Sequence, residues 1–477
     1  MLVDLVQGNE NLQEFAVLTI VDEIIKDLPI FDPSYGKCFC KRSDSITNGS
    51  ILKATSLMQS LSMTNYHDIQ DLNSNTIFSD ILGVNISPET LRQRLDKIAK
   101  IDGINDDIDD AIVEILKKAP LKTDIFGGKE YYLLDIDVTP FINPGVKKEG
   151  ISYTYKGAFG YAPIMAYFGH YAISFDLRPG SQHSEKGAVE FLDRCLRMIQ
   201  NLDIDMSKIL IRVDSGHDAS EFIKKCNESN CKFIIARNLR SEKKKEVEYV
   251  QYLKGNKDTK PIYSEDNDRV KIYRGIVYGK KPSAYNHEDV RCICEVNEYF
   301  RDEHGSFYFD EDDPSSSMFG CEPWKKYEVK CYWTNIDIFD ENGEKCTNET
   351  KYVGECISIY RDHATSEQYH SEVKTDMDLE LLPSKYFVTN KLFLQLAAIA
   401  FNVIRMIGDK ALDEDDRLQS NKLEKKDRIR FSTIVKKIIN IPVRIVKHAQ
   451  KTTYKFGKYC KFSLCSSYYI VSFNVRL

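Results

Sequence analysis

The stretch that decides the fold is Tyr131-Tyr132-Leu133-Leu134-Asp135-Ile136-Asp137-Val138, and a second run, Ile209-Leu210-Ile211-Arg212-Val213-Asp214, repeats its character. Both runs predict buried strands, because short apolar runs rich in β-branched and aromatic residues are typical of sheet interiors. Each has an acid at its far end, Asp137 just before Val138 in the first run and Asp214 as the last residue of the second. A carboxylate leaving an apolar strand is costly unless it is paired or binds a cation. The alternative is an ordinary turn or cap residue.

The elements around these two runs predict a mixed α/β sheet covered by helices. After the first run, the periodicity predicts two β-rich segments, Ser152–Tyr167 and His170–Leu177, and then a helix, Ser184–Leu202. The second acid-ending strand, Ile209–Val213, follows, and after it a helix, Ala219–Asn227, and a last strand, Phe233–Ala236. The period-2 pattern returns over Val270–Tyr360 and predicts another β-rich unit, after a charged surface excursion at Lys243–Lys260.

Residues 1 to about 120 and the chain from Tyr360 to Ile407 have helical periodicity. Ser87-Pro88-Glu89 predicts a helix start, with serine as cap, proline in the first turn and an acid at the positive end of the helix dipole. The helix continues through Arg92 and Arg94. Two arginines near its start leave core packing and DNA contact equally open.

The composition is that of a globular protein: 477 residues, 42% hydrophobic and 29% charged, which excludes disorder and fibrous repeats. The most apolar run, Leu392–Met406, contains Gln395, Asn402 and Arg405 and predicts a buried helix rather than a membrane span. Acids at positions 4 and 10 do not fit a signal peptide. The thirteen cysteines include no CxxC pair. We expect a cytoplasmic protein with reduced thiols and no membrane partner.

Charge is distributed unevenly along the chain. The formal net charge is −6, yet residues 421–477 contain 14 Lys and Arg against 2 Asp and Glu, so the remainder carries −18. Aromatic residues are interleaved with these cations. Such a block suits a phosphate backbone or single-stranded bases. The alternative is a solvated cationic tail, but an apolar pattern from Ile434 to Val446 indicates that the segment folds.

A third acid, Glu367, lies on a predicted helix. Tyr360, His363, Glu367, His370 and Lys374 are spaced three and four apart, which predicts one polar helix face. With Asp137 and Asp214, Glu367 could hold hard cations such as Mg²⁺, and a pair of these ions can cleave phosphodiesters. A solvated helix face is the alternative.

The order of these motifs resembles a DDE transposase of the IS4-like group, most closely the IS1380 family. The matching residues are Ser87–Arg94, Leu134–Thr139, Gly157–Pro163, Leu177–Gly180, Ile211–Gly216, Ala236–Leu239, Leu382–Ser384, Asn390 and Ile441–Arg444. They also include the group's Tyr-(2)-Arg-(3)-Glu-(6)-Lys signature, here Tyr360, His363, Glu367 and Lys374. Each motif is weak alone, but their order and spacing are specific.

The resemblance implies an RNase H-like catalytic core interrupted by a β-rich insertion. The implied boundaries are a helical N-terminal DNA-binding region (1–125), the first part of the core (126–243), the insertion (244–358), the last core helices (359–415) and a basic DNA-contacting or assembly region (416–477). It further implies that Asp137, Asp214 and Glu367 bind two Mg²⁺ ions, for which Mn²⁺ can substitute, and that an insertion aromatic stacks on an extruded base. Trp324 and Trp333 are the chain's two tryptophans and the candidates for that role, although a core position is more usual.

Two positions are left open by the resemblance. His363 stands where the signature has arginine, so either Arg361 substitutes, or the phosphate contact is weaker, or the copy is impaired. Asp135 competes with Asp137 for the role of first metal ligand, because residues two apart on a strand share one face. We favour Asp137, since Thr139 follows it as in similar enzymes.

The function implied is that of a bacterial transposase that cleaves and joins DNA at the terminal inverted repeats of its element. Tyr360, Lys374 and His363 or Arg361 would contact phosphates. The partners implied are double-stranded repeat and target DNA, with a dimer on DNA, nucleoid association and no organic cofactor. The alternatives are an RNase H-like nuclease and an inactive, domesticated DNA-binding protein.

Overall fold

The fold is described from a computed structural model, over residues 12–35, 46–144, 147–239, 243–255, 262–263, 270–277, 290–299, 326–339, 343–414, 428–448 and 451–457. The helices are α1 Leu18–Ile25, α2 Asn48–Ser60, α3 Asp68–Asn73, α4 Thr76–Leu82, α5 Pro88–Ile98, α6 Ile104–Leu116, α7 Ala188–Gln200, α8 Ser220–Glu228, α9 Lys243–Gly255, α10 Glu349–Arg361, α11 Ala364–Ser371, α12 Phe387–Glu414 and α13 Phe431–Ile434. The strands are β1 Leu12–Gln13, β2 Asp124–Phe126, β3 Lys129–Val138, β4 Phe141–Ile142, β5 Ser152–Tyr153, β6 Phe159–Tyr161, β7 Ile164–Phe168, β8 Tyr171–Asp176, β9 Ile209–Val213, β10 Lys232–Ala236, β11 Ile262–Tyr263, β12 Val270–Ile276, β13 Arg291–Tyr299, β14 Lys326–Thr334, β15 Val443–His448 and β16 Lys451–Phe456.

Contacts divide the chain into two compact units, each discontinuous in sequence. Unit 1 comprises residues 1–121, 138–182 and 367–477, and unit 2 comprises 122–137 and 183–366. The five-part division expected from the sequence stays a prediction. The mixed α/β class is confirmed, and the expected order of strands and helices from β3 to β10 is present.

Unit 2 is built on a mixed sheet. Its strands follow the order β11-β12-β13-β14-β10-β9-β3, with β2 paired to β3. Strands β3, β9 and β10 are parallel, whereas β14 pairs antiparallel with β10 and opposes Ile235 with Trp333. The strands of the expected insertion therefore continue the same sheet. Helix α10 packs on it through Tyr352, Val353 and Ile357, which join a core with Tyr131 and Leu210.

Helix α9 occupies residues 243–255 of the charged surface excursion expected over Lys243–Lys260, and residues 256–260 lie outside the described part of the chain. Its buried Leu253 explains why a strongly charged segment still folds as a helix. A few apolar residues at helical spacing can anchor a polar element.

Unit 1 is organised around α12, which contacts α2, α5, α6 and β8. This helix is long and apolar enough to cross a membrane by length and composition, but 83% of its apolar window is buried. Its polar residues have partners in the core, since Asn402 bonds both the amide and the carbonyl of Ala172, at 2.7 and 2.8 Å. Burial of Leu392–Met406 is confirmed.

Helix α5 begins where its capping residue predicts. Ser87 accepts a hydrogen bond from the Thr90 amide at 3.2 Å, with Pro88 and Glu89 in the first turn of α5. Upstream, however, the region expected to be helical includes the short strand β1, and its first described helix begins only at Leu18. Strand β1 pairs with β15 of the C-terminal hairpin, so pairing with a distant strand overrides local helical periodicity there.

Unit 1 also contains two three-stranded sheets, β1-β15-β16 and β4-β6-β5. The first shows that the described part of the basic segment, residues 443–448 and 451–456, is folded as a hairpin. One face of its β15–β16 hairpin packs Val443, Ile445 and Phe456 against Ala16 and Ile77.

Candidate active site

The register of two parallel strands places the first two acids side by side. Ile136 of β3 pairs with Val213 of β9, and the next residues are Asp137 and Asp214. Asp214 has extended backbone angles, φ −75° and ψ 178°, so the strand geometry continues through it. Neighbouring strands lie about 4.8 Å apart, and registered residues of parallel strands point to the same face. The two carboxylates are therefore neighbours, as the sequence indicated.

Asp214 is fixed by the turn that follows it. Its Oδ1 accepts hydrogen bonds from the Gly216 amide at 3.0 Å and from Nδ1 of the buried His217 at 2.9 Å. A Cβ at Gly216 would lie 3.0 Å from Asp214 Oδ1 and from Ser184 Cβ, so the turn requires a small residue. Burial alone would raise the pKa of Asp214, but the bond from His217 and its charge lower it. Asp214 is thus an ionised carboxylate whose side chain is still 49% exposed.

The preceding residues on the same sheet face form a buried ion pair. Arg212 donates from Nε and Nη2 to the two oxygens of Asp135, both at 2.7 Å, and from Nη1 to the Ile359 carbonyl at 2.8 Å. Burial would raise the pKa of Asp135, but the charges of Arg212 and His363 lower it to about 2. Because both oxygens are engaged, the geometry favours Asp137 over Asp135 as a metal ligand.

His363 belongs to this ion-pair cluster. Its Nδ1 lies 3.0 Å from Asp135 Oδ1, and the residue is 9% exposed. Although burial disfavours the charged ring, Asp135 raises the pKa of His363 above its ordinary value, with a further contribution from Asp137. The carboxylate of Asp135 therefore favours the charged form of the His363 ring.

Arg361 and Tyr360 lie next to the same cluster. The Arg361 guanidinium donates to the buried Glu295 at 2.8 Å, while its side chain remains 56% exposed. Tyr360 packs against Tyr332, with ring centroids 4.7 Å apart. Burial and the charges of Asp214 and Asp137 raise the pKa of Tyr360, so its hydroxyl stays protonated and can donate.

The third acid lies in unit 1. Glu367 is exposed in the first turn of α11, and Lys374 lies in the π-helical turn Glu372–Asp376 that follows. The Lys374 ammonium donates to the Pro140 carbonyl at 2.9 Å and pairs with Glu380 at 3.1 Å.

The single polar helix face expected from Tyr360 to Lys374 is wrong. Helix α10 ends at Arg361 and α11 starts at Ala364, so the three- and four-residue spacing is not carried by one helix. His370 instead turns inward, with its ring 5.3 Å from that of Tyr167.

The tryptophan expectation is also corrected. Trp333 is 3% exposed in the middle of the sheet, donates to Asp218 at 3.0 Å and lies under the Arg237 guanidinium at 4.8 Å. Its ring cannot receive a base without unpacking the strand. Trp324 lies outside the described residues.

The carboxylates at the strand ends can be compared with the ligands that a divalent metal ion requires. Magnesium in proteins is often held by one or two carboxylates, with water and substrate phosphates completing its shell. Adjacent Asp137 and Asp214 fit that requirement. Within the described residues, no group of three or more His, Cys, Asp and Glu side chains is arranged to hold a metal ion. The three-acid, two-ion arrangement stays a prediction.

Sequence reasoning missed the Arg212–Asp135 pair and His217. One signal was available, because an arginine inside the apolar run Ile209–Val213 requires a buried acid as partner. The direct contact of His217 with Asp214 across a three-residue turn had no comparable signal.

Comparison with known proteins relates part of the chain to a described protein family. Residues 50–280 match the family model described as transposase DDE domain group 1, and this range includes Asp137 and Asp214. The match supports a DDE transposase. The match does not distinguish the IS1380 family from other DDE transposases.

Among solved structures, the chain is similar to the cryo-EM structure of the piggyBac transposase synaptic complex with hairpin DNA. The identity is 11%, covering 89% of this chain and 81% of that one, with a TM-score of 0.40, a likeness that carries no argument about function. The comparison with curated proteins gives no match.

Proposed function

We propose that this protein is a transposase of the IS4-like group, closest to the IS1380 family, that binds the terminal inverted repeats of its own element and catalyses metal-dependent cleavage and strand transfer. The observation that carries the proposal is that Asp137 and Asp214 lie side by side at the ends of two parallel strands. The family match over residues 50–280 supports it. The enzyme would act on bacterial DNA in the cytoplasm, as a dimer on its ends, with an RNase H-like core.

Asp137, Asp214 and Glu367 would hold two Mg²⁺ ions, or Mn²⁺ in their place. When bound, such ions supply an activated water or 3′-hydroxyl and stabilise the leaving oxygen. His217 keeps Asp214 ionised and oriented, which prepares it for a cation.

Phosphate contacts would come from groups beside the acids. Tyr360 would donate its hydroxyl, and the half-exposed Arg361 would supply the permanent charge that the signature expects. His363 then acts on the Asp135 side of the cluster rather than on DNA. Lys374 would approach a phosphate by exchanging its contact with Glu380.

The test of this proposal is Asp214→Asn. The variant should bind DNA carrying the element's ends as the wild type does and lose Mg²⁺-dependent cleavage, since the change removes a ligand charge and keeps the size. Asp203→Asn is the matched control, because Asp203 is exposed with φ +58°, a conformation that asparagine also adopts. Cleavage by Asp214→Asn at the wild-type rate would refute the metal assignment. Equal cleavage of DNA without the ends would indicate a nuclease instead.

The C-terminal hairpin would contribute to DNA affinity. Arg444 of β15 lies directly opposite Lys455 of β16, and both are exposed on the face away from the Val443 core. Two cations on one exposed face form a locally positive surface, which suits a phosphate backbone. Arg428 and Arg430, by contrast, bond Glu372 and Asp376 within unit 1. The basic segment is therefore partly internal, and only its later cations would face DNA.

Each phosphate contact contributes about 0.9 to the slope of log affinity against log salt. Arg444→Ala with Lys455→Ala should therefore flatten the slope by up to about 2 units. Lys208→Ala with Lys224→Ala, which removes two exposed lysines of unit 2, is the control. An unchanged slope in the hairpin variant would remove this surface from the DNA contacts.

A further inference from the structure

The hairpin of β5 and β6 exposes three aromatic rings. Tyr153 is 60% exposed, Tyr155 66% and Phe159 54%, and together they make up three of the nine exposed large hydrophobic side chains among the described residues. Tyr153 and Phe159 are direct cross-strand partners, with ring centroids 5.5 Å apart in an edge-to-face arrangement. Clustered exposed apolar surface of this kind marks an interaction site more often than a chance position.

The base of this hairpin is rigid. A Cβ at Gly160 would lie 2.0 Å from the Phe141 carbonyl oxygen, and one at Gly180 would lie 2.2 Å from the Gly160 carbonyl oxygen. The turn is closed by the Thr154 amide bonding the Ala158 carbonyl at 2.8 Å, with Gly157 at φ +77°. The backbone that carries the rings is thus closely packed before any partner arrives, so ordering that backbone costs little on binding.

The hairpin contacts Val138, the residue that follows the first acid in the chain. The Tyr155 hydroxyl donates to the Val138 carbonyl at 3.3 Å, and Val138 directly follows Asp137 in the chain. The exposed turn carries one cation, Lys156, and the hairpin residues 150–161 contain no acid. A cation beside aromatic rings is the combination that binds single-stranded nucleic acid, in which the bases stack and the phosphates meet the charge.

We propose that Tyr153, Tyr155 and Phe159 form a stacking surface for the unpaired bases of a DNA strand. The occupant is single-stranded DNA rather than intact duplex, because paired bases inside a duplex have no free face to offer a ring. This inference rests on the proposed function and adds the surface that receives a strand end.

The test measures DNA affinity in EDTA, so that cleavage does not contribute. One probe is a 20-nucleotide single strand with a 2-aminopurine reporter, and the other is the same sequence as a duplex closed by hairpins at both ends. Replacing each of the three rings by alanine should weaken single-strand binding by roughly 5- to 100-fold and leave closed-duplex binding within about 2-fold. Quenching of 2-aminopurine should fall in parallel.

Conservative and remote variants provide the controls. Tyr153→Phe and Tyr155→Phe keep the rings and should bind single strands nearly as the wild type does. Tyr252→Ala removes a 41% exposed ring from α9 and should change neither affinity. An equal loss for both probes would overturn stacking in favour of general duplex contact, and no loss in the ring variants would remove the surface altogether. A wild type that binds neither probe would instead refute the proposed function.

Discussion

Replacing Asp135 by asparagine separates a structural acid from a catalytic one. The carboxylate and the Arg212 guanidinium are 3% and 1% exposed and are joined by two bonds of 2.7 Å. Asparagine keeps the size but presents an amide group to one guanidinium nitrogen and leaves the arginine charge unpaired. Breaking a buried pair from one side costs about 3–5 kcal/mol, so the free energy of unfolding should fall by that amount.

The assay is urea unfolding of the purified chain without divalent metal, followed by circular dichroism. Asp137→Asn is the matched control, since it makes the same change two residues later at a half-buried position, and its cost should stay below about 1 kcal/mol. If Asp135→Asn were as stable as the wild type and still failed to cleave DNA, the reasoning would be refuted. That result would make Asp135 a metal ligand, because removing one of several clustered charges should not destabilise a metal-free site.

Three further predictions concern the same framework. The pKa of Asp135 is about 2, below its ordinary value of 3.8. The stabilisation that the ionised carboxylate gives the folded protein should therefore be complete above about pH 4 and disappear as the pH falls toward 2. Asp135→Asn should flatten that part of an acid titration followed by circular dichroism. His363→Ala should lower the free energy of unfolding by about 1–3 kcal/mol through loss of the Asp135 contact, and an unchanged urea midpoint would contradict it. Gly160→Ala should cost about 1–3 kcal/mol because its Cβ meets the Phe141 carbonyl, whereas Gly255→Ala, with no atom within 4 Å, should cost nothing in the same unfolding assay.

Local pattern was sufficient for the strands that carry the first two acids. The apolar runs ending at Asp137 and Asp214 predict two strands, and the register places them side by side. Ser87 predicts the start of α5, and the polar residues within Leu392–Met406 predict a buried helix. In each case the information lies within one turn or one strand, where periodicity and capping chemistry act directly.

Only the tertiary structure decided which polar groups meet. Asp135 and Asp137 are equivalent by strand periodicity, yet Arg212, 77 positions away, takes both oxygens of the first. His363 is part of a signature in sequence but a buried partner of Asp135 in space. The alternating sequence around Trp333 does not show whether its ring is buried or exposed. The ring is buried because β14 pairs with β13 on one side and with β10 on the other. The physical reason is that periodicity along a chain records which face is buried, while the partner of a buried charge or ring is set by strand register across long separations in sequence.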